Sequence, residues 1–237
     1  MPIFSIGEDI IFPPVKLAEP NGLIAVGGDL SVPRLIEAYR QGIFPWYSSG
    51  EPILWWSPDP RFVLFPDEIY VSKTMRQVLN RGYFKITCDE DFSAVIEGCR
   101  GPRKRERGTW ITDEMKDAYL RLHQEGYAHS VEAWKDGEIV GGLYGVSLGR
   151  CFFGESMFAR ESNASKAALI TFVRFLKTNG FVVVDCQVYT KHLESLGARL
   201  ISRDEFLTLV NEGLRYETMR GSWRGLFSNT PSIVHSD

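Results

Sequence analysis

The sequence predicts an α+β protein: a small N-terminal α/β domain over residues 1–63, then a larger domain over residues 64–237 with a mixed sheet. Three observations support this. The first sixty or so residues are rich in Pro, Gly and Trp and contain one well-signalled helix. After residue 61 strand and helix signals lengthen. Near the middle of the chain, turn dipeptides separate runs that are typical of antiparallel strands.

The bulk composition is that of an ordinary globular protein, with 44% hydrophobic and 24% charged residues and a net charge of −3. The first residues do not resemble an export signal, and no apolar run approaches the ~20 residues of a membrane span. We therefore expect a cytoplasmic protein without a membrane segment. The four cysteines and four histidines lack metal-ligand spacing, so no metal or other cofactor is expected. No unassigned apolar helix face remains, which favours a monomer.

The N-terminal domain is predicted to hold one helix. Ser31 is a suitable N-cap, Pro33 fits the first turn, and Gly42 is the expected stop. The following stretch, GIFPWYSSGEPILWWSPDPR, is dense in proline, which removes hydrogen-bond donors and fixes turns. We therefore expect a folded loop there.

The first half of the larger domain is predicted to alternate strands and helices. In chain order these are a strand at FVLFP, a helix over Ser72–Asn80, a strand at YFKITC, and helices over Phe92–Cys99 and Asp113–Glu125. Antiparallel strands should then run from Ser130 to Phe158, turning at Asp136-Gly137 and Leu148-Gly149.

The second half is predicted to begin with a helix capped by Ser162 or Asn163 and ended by Asn179-Gly180. A strand at FVVVDCQV, a short helix at HLESLGA, a strand at ARLIS and a helix at DEFLTLVNEGL follow. This order, with a hairpin at its centre, resembles the GNAT acyltransferase fold. A fold-level resemblance does not by itself assign a function.

Two strands carry polar side chains that could do chemistry. Alternation places Asp185 and Gln187 on one face of the FVVVDCQV strand, where an acid and an amide are costly unless used or paired. A satisfied structural Asp185 is an equally open interpretation. In CFFGESMF, alternation gives Phe153, Glu155 and Met157 a common face, which suits a ligand that is apolar at one point and cationic at another.

Core packing is the alternative for this second set, with Glu155 at the rim. Leu169, Phe172 and Val173 on the next helix could line the same pocket or belong to the core.

Basic and aromatic residues mark a possible nucleic-acid contact. A basic run is followed by Trp110, an arrangement that suits stacked bases, although a solvated loop is the alternative. The run comprises Arg100, Arg103, Lys104, Arg105 and Arg107. Trp46, Trp55 and Trp56 also lie beside Pro and Gly, and some of them, Trp55 first, are expected to be buried.

Several strings together resemble one family. They are EPNGLIAVGGDLS, GIFPW, ILWWSPDPR, GTWIT, GGLYGV, FFGESMF, NASKAAL, DCQV and HLESLGA, in order from about Glu19 to Gly197. This set resembles the bacterial leucyl/phenylalanyl-tRNA–protein transferases. The resemblance implies an enzyme that moves Leu or Phe, and less well Met, from aminoacyl-tRNA to the N-terminal Arg or Lys of proteins, marking them for degradation by the N-end rule pathway.

The resemblance also implies roles for individual residues. Trp46 and Trp110 would sandwich the terminal adenosine of the tRNA. The side-chain pocket would be formed by Phe153, Met157, Leu169 and Phe172. Glu155, Asp185 and Gln187 would meet the incoming basic N-terminus.

Aminolysis of an activated ester needs orientation of the amine, a proton acceptor and oxyanion stabilisation. Our hypothesis gives the orienting hydrogen bond to Gln187, with Asp185 holding it and favouring proton loss. The hydroxyl of the terminal adenosine is an alternative shuttle for the proton. Negative charge on Glu155 and Asp185 would favour an Arg or Lys acceptor.

Three other functions compete with this one. A CoA-dependent N-acetyltransferase needs a glycine-rich turn for the pyrophosphate, but residues 160–165 read RESNAS, with both glycines missing. A tRNA-binding module without catalysis would leave the polar pocket residues unused. A cysteine hydrolase would pair Cys186 with His192, two residues that need not share a face.

Overall fold

A computed structural model describes residues 3–101 and 111–229 as a mixed α/β protein with two mixed sheets. The first sheet contains β1 (Phe4–Ile6), β2 (Leu23–Gly27), β3 (Phe44–Pro45) and β4 (Leu54–Trp56). Its strand order is β1-β2-β4-β3, and only β1 and β2 run parallel. The stretch predicted as a loop therefore also holds β3 and β4, which are too short for a period-two pattern to stand out.

The predicted N-terminal helix is confirmed as α1 (Val32–Arg40). Ser31 is its extended N-cap residue, and Gly42 adopts a left-handed φ of 69° just beyond its end. The buried side chains of α1 include Leu35, Ala38 and Tyr39. Helix α1 therefore presents Tyr39 to the interior, which later matters for the site.

The second sheet has seven strands in the order β11-β5-β10-β9-β8-β7-β6. They are β5 (Arg61–Leu64), β6 (Lys85–Cys88), β7 (Ala128–Lys135), β8 (Glu138–Leu148), β9 (Cys151–Ala159), β10 (Val183–Gln187) and β11 (Arg199–Ile201). Only β9 and β10 are parallel neighbours. Strand β5 starts before the predicted division at residues 63 and 64, and that division stays a prediction.

Six α-helices follow α1 within the described residues. They are α2 (Lys73–Asn80), α3 (Phe92–Arg100), α4 (Asp113–Gln124), α5 (Ala164–Thr178), α6 (Lys191–Glu194) and α7 (Arg203–Gly213). Side-chain oxygens of Ser72, Asp91, Thr112, Thr190 and Ser202 accept hydrogen bonds from the first turns of their helices. The elements predicted for the larger domain are thus confirmed. None of the helices in the described ranges is long and apolar enough to cross a membrane.

The core divides between the two faces of the large sheet. Residues of α1, α3 and α4 pack on one face with Phe153, while residues of α5 pack on the other with Phe152. Burial of adjacent phenylalanines on opposite faces is the alternation expected of a strand covered on both sides.

Strands β9 and β10 pair only over their first three residues. Val183, Val184 and Asp185 oppose Cys151, Phe152 and Phe153, respectively. Beyond that point β9 has a bulge at Glu155, because Gly154 and Ser156 pair with consecutive residues of β8. On the other strand Gln187 has a φ of 61°, and the pairing with β5 shifts between Asp185 and Gln187. Two irregularities therefore end the pairing and leave space between the strands.

Candidate active site

A cavity of about 750 Å³ opens where β9 and β10 part. Residues 154–159 of β9 and 185–188 of β10 form two of its walls. Pro45 comes from the N-terminal sheet and Trp46 directly follows it, while Leu169 comes from α5 and His192 from α6. Both sheets and two helices thus contribute to one concave surface, which is the usual setting of a small-molecule site.

The polar wall of the cavity centres on the carboxyl group of Glu155, which is 9% exposed. Its Oε1 accepts hydrogen bonds from the hydroxyl of Tyr39 and from Nε2 of Gln187, both at 2.8 Å. Its Oε2 accepts a bond from the hydroxyl of Tyr119 at 2.6 Å. Three donors thus fix the orientation of this carboxyl group.

Burial raises the pKa of Glu155 to about 7, against the opposing effect of the hydrogen bonds from Tyr119 and Tyr39. The negative charge of Asp185 adds to the increase. Glu155 can therefore change its protonation state near neutral pH.

Asp185 is paired inside the chain. Its two oxygens accept hydrogen bonds from Nε and Nη2 of Arg61 at 2.8 and 2.7 Å, and both side chains are at most 1% exposed. Oδ1 also accepts from the backbone N–H of Gln187 at 2.9 Å. These contacts agree with the alternative interpretation, in which Asp185 has a structural role. Its charge is neutralised by Arg61 rather than left for a ligand.

The guanidinium of Arg61 also joins the two sheets. Its Nη1 donates to the carbonyl oxygen of Gly42 at 3.1 Å. Its central carbon lies 4.8 Å from the ring centre of Phe44 and 4.5 Å from that of Phe206. Asp185 and Arg61 thus hold β10, β5 and the N-terminal sheet together behind the cavity.

The apolar wall differs from the prediction in its phenylalanines. Met157 and Leu169 line the cavity, as does Phe152. Phe153 packs instead against Tyr39 on the opposite face of the sheet, with ring centres 5.1 Å apart. The shared face predicted for Phe153, Glu155 and Met157 is wrong at Met157, because the bulge at Glu155 interrupts the alternation.

Phe172 is fully buried one layer behind the cavity wall. Its ring centre lies 4.6 Å from that of Phe152, and it belongs to an aromatic cluster with Phe175 and Trp223. Neither Phe153 nor Phe172 is among the described residues that line the cavity. Phe172 supports Phe152, which lines the cavity, and Phe153 packs against Tyr39, which donates to Glu155.

The tryptophans separate into exposed and buried. Trp46 is 44% exposed at the cavity, and its carbonyl oxygen accepts a hydrogen bond from Nε1 of Trp56 at 2.7 Å. Trp55 is fully buried, which confirms that prediction. Trp110 and the basic residues Arg103, Lys104, Arg105 and Arg107 lie outside the described residues. Arg100 is described, and it pairs with Asp113 at 2.7 Å.

Cys186 and His192 both line the cavity. Burial raises the pKa of the Cys186 thiol well above its usual value, which disfavours the thiolate that a cysteine nucleophile requires. Over residues 3–101 and 111–229, no cluster of three or more His, Cys, Asp or Glu side chains is arranged to hold a metal ion.

Sequence reasoning missed Tyr39, Tyr119 and Arg61 as site residues. Both tyrosines stand on the apolar stripes of predicted helices, where they read as core. The available signal was the hydroxyl group, because a buried tyrosine usually finds a hydrogen-bond partner. Arg61, at the start of a buried strand, similarly needs a buried acid.

Comparisons with known proteins agree with one another. Residues 63–211 match the profile described as leucyl/phenylalanyl-tRNA protein transferase, and residues 28–59 match that of its N-terminal domain. The chain is 62% identical over 224 residues to the leucyl/phenylalanyl-tRNA–protein transferase of Syntrophus aciditrophicus (strain SB), covering 94% of both chains. It is 56% identical to that of Syntrophobacter fumaroxidans (strain DSM 10017 / MPOB), covering 95% of this chain and 97% of that one.

A solved structure of L-PGS from Bacillus licheniformis is 14% identical with a TM-score of 0.37, covering 73% of this chain and 57% of that one. So low a score carries no argument. The sequence relatives do, since they match nearly end to end. The chain belongs to the leucyl/phenylalanyl-tRNA–protein transferase family.

Proposed function

We propose that this protein is an aminoacyltransferase that moves Leu or Phe, and less well Met, from aminoacyl-tRNA to the N-terminal Arg or Lys of a protein. The family supports the reaction type. The observation that carries the finer proposal is one cavity that joins an apolar wall to the buried carboxyl group of Glu155. Products of this reaction are marked for degradation by the N-end rule pathway.

The apolar wall accounts for the donor side chains. Phe152, Met157 and Leu169 give one side of the cavity an apolar surface, which favours the side chains of Leu, Phe and Met over charged ones. An apolar pocket separates side chains that differ by one methylene by only ~1–3 kcal/mol. Overlap among the three donors follows.

The polar wall accounts for the acceptor. The amide of Gln187 is held by Glu155 through Nε2 and by Asp185 through its backbone N–H. Its carbonyl oxygen is the acceptor that we assign to orient the incoming amine, while Glu155 supplies negative charge for Arg or Lys. Asp185 acts as a positioning residue, because Arg61 occupies both of its oxygens. This role differs from the direct contact with the acceptor N-terminus that the family resemblance implies.

We assign the terminal adenosine of the tRNA to the Trp46 side of the cavity. An exposed indole provides a face on which a base can stack. We propose that Trp110 stacks on the opposite side of the same adenine base. No resident cofactor is required in this scheme, because the ester is already activated.

The test is transfer of radiolabelled Leu from Leu-tRNA to a model protein that starts with Arg. The matched control is the same protein starting with Ala, and no other cofactor is added. We expect label on the Arg protein only. Absence of label, together with acetylation of the same protein from acetyl-CoA, would overturn the proposal in favour of an N-acetyltransferase.

We propose three further properties with this function. The parallel pair β9 and β10, which separates beside the cavity, supports a GNAT-like arrangement of the larger domain. The protein acts as a monomer. It acts in the cytoplasm, a location supported by the charged tRNA and protein substrates proposed above.

A further inference from the structure

Three oxygen-bearing side chains form a closed triangle behind the cavity: Glu155, Tyr39 and Tyr119. The hydroxyl of Tyr39 lies 2.8 Å from Oε1 of Glu155, and that of Tyr119 lies 2.6 Å from Oε2. The two hydroxyl oxygens are themselves 2.6 Å apart. Both tyrosines are fully buried, whereas Glu155 reaches the cavity.

The number of protons in this triangle depends on the charge of Glu155. Each hydroxyl has one proton to donate, and an ionised carboxylate has none. When Glu155 is ionised and both hydroxyls donate to it, no proton lies between Tyr39 and Tyr119. When Glu155 is protonated, each of the three groups donates once and accepts once around the ring. The geometry therefore accommodates one proton more than the ionised state contains.

The tyrosines keep their own protons. Burial raises the pKa of Tyr39 and of Tyr119 well above the ordinary value, and the charge of Glu155 acts in the same direction. Among the described residues, Asp185, whose charge Arg61 pairs, raises the pKa of Glu155, and Tyr144 on β8 raises the pKa of both tyrosines. Cys186 and His192 line the same cavity. The additional proton therefore resides on Glu155.

We propose that Glu155 accepts the proton that the acceptor's α-ammonium group must lose before it attacks, and that Tyr39 and Tyr119 are the positioning residues for this step. This inference rests on the proposed function. Asp185 suits the task less well, because its charge is paired with the buried cation of Arg61, whereas the donors to Glu155 are neutral hydroxyl and amide groups. Glu155 instead lies beside the amide that orients the amine.

The step balances as follows. The ammonium group transfers one proton to Glu155 and becomes a neutral amine. Its nitrogen forms a bond to the ester carbonyl carbon, and the bond from that carbon to the tRNA oxygen breaks. A second proton from the nitrogen passes to that leaving oxygen. Glu155 releases its proton to water after the product leaves.

The test is the pH dependence of kcat/KM for leucyl transfer in Tyr39→Phe, Tyr119→Phe and Glu155→Gln. Each tyrosine hydroxyl stabilises the carboxylate, so its removal should move the acidic limb of the profile upward by about one pH unit. A purely structural loss would lower the rate at every pH without moving the limb. Glu155→Gln should lose at least about 100-fold. Tyr127→Phe, a hydroxyl deletion at a residue that does not line the cavity, is the matched control.

Infrared spectroscopy of the substrate-free protein gives a second readout. We expect an absorption band of a protonated carboxyl group that titrates with a midpoint near neutral pH. The band should be absent in Glu155→Gln, and its midpoint should lie at higher pH in Tyr39→Phe. An unmoved limb and band in both tyrosine variants would overturn the inference, as would a Glu155→Gln rate within threefold of wild type. Absence of leucyl transfer by the wild-type protein would instead overturn the proposed function itself.

Discussion

The ion pair between Arg61 and Asp185 allows a quantitative prediction. Its two hydrogen bonds measure 2.7 and 2.8 Å, and neither side chain is more than 1% exposed. Removing one partner leaves the other charge buried and unpaired, which typically costs about 3–5 kcal/mol. A protein is typically stable by only about 5–15 kcal/mol. Arg61→Met and Asp185→Leu should therefore each remove a large part of the free energy of unfolding.

Urea unfolding of the two single variants and of the double variant measures this effect. The double variant leaves no unpaired charge, so it should be more stable than either single variant by at least about 1 kcal/mol. The control is Glu68→Ala, which removes the half-exposed partner of Arg199 and should cost less than about 1 kcal/mol. Two results would refute the reasoning: a single variant whose free energy of unfolding lies within 1 kcal/mol of wild type, or a double variant no more stable than the less stable single variant.

Further predictions concern the cavity and the core. Trp46→Ala should raise KM for Leu-tRNA by about 10- to 100-fold in steady-state transfer assays, while unchanged KM would contradict base stacking. Leu169→Ala should lower kcat/KM for leucyl transfer at least about tenfold, and equal activity would remove Leu169 from the pocket. Phe172→Ala should cost about 3–5 kcal/mol in urea unfolding. Burial raises the pKa of Asp89, but the hydrogen bond and charge of His129, together with the backbone N–H groups of Trp223 and Ser130, outweigh it and leave a lowered value. Its stabilising contribution is therefore present above pH ~4 and is lost as pH falls through the lowered pKa. Asp89→Asn should thus lose stability at pH 7 and approach wild type in acid; a constant difference would contradict this.

The sequence could predict α1 and the elements of the larger domain because their signals are local. Capping residues such as Ser72 and Thr112, and turns such as Asp136-Gly137, act within a few residues of the elements that they define. The site was predicted in part. Glu155 and Gln187 were identified and do meet, at 2.8 Å.

What the sequence could not predict depends on register and long-range pairing. A one-residue bulge at Glu155 places Met157 on the face of Phe152 rather than on that of Phe153. No local pattern announces such a bulge. Likewise, the partner of Asp185 lies 124 positions away in sequence, at Arg61, and was invisible without the sheet order. The roles assigned to the individual side chains stay predictions.

The placement of Tyr39 on α1 restricts how this protein can be recombined with its relatives. Helix α1 lies in the segment that matches the N-terminal family profile, but the hydroxyl of its Tyr39 donates a hydrogen bond to Glu155 in the other segment. A chimera that takes residues 28–59 from a relative should keep activity only if the imported helix presents a tyrosine at this position. The two segments must therefore be exchanged together, because replacing one alone removes the hydrogen bond that the active site needs.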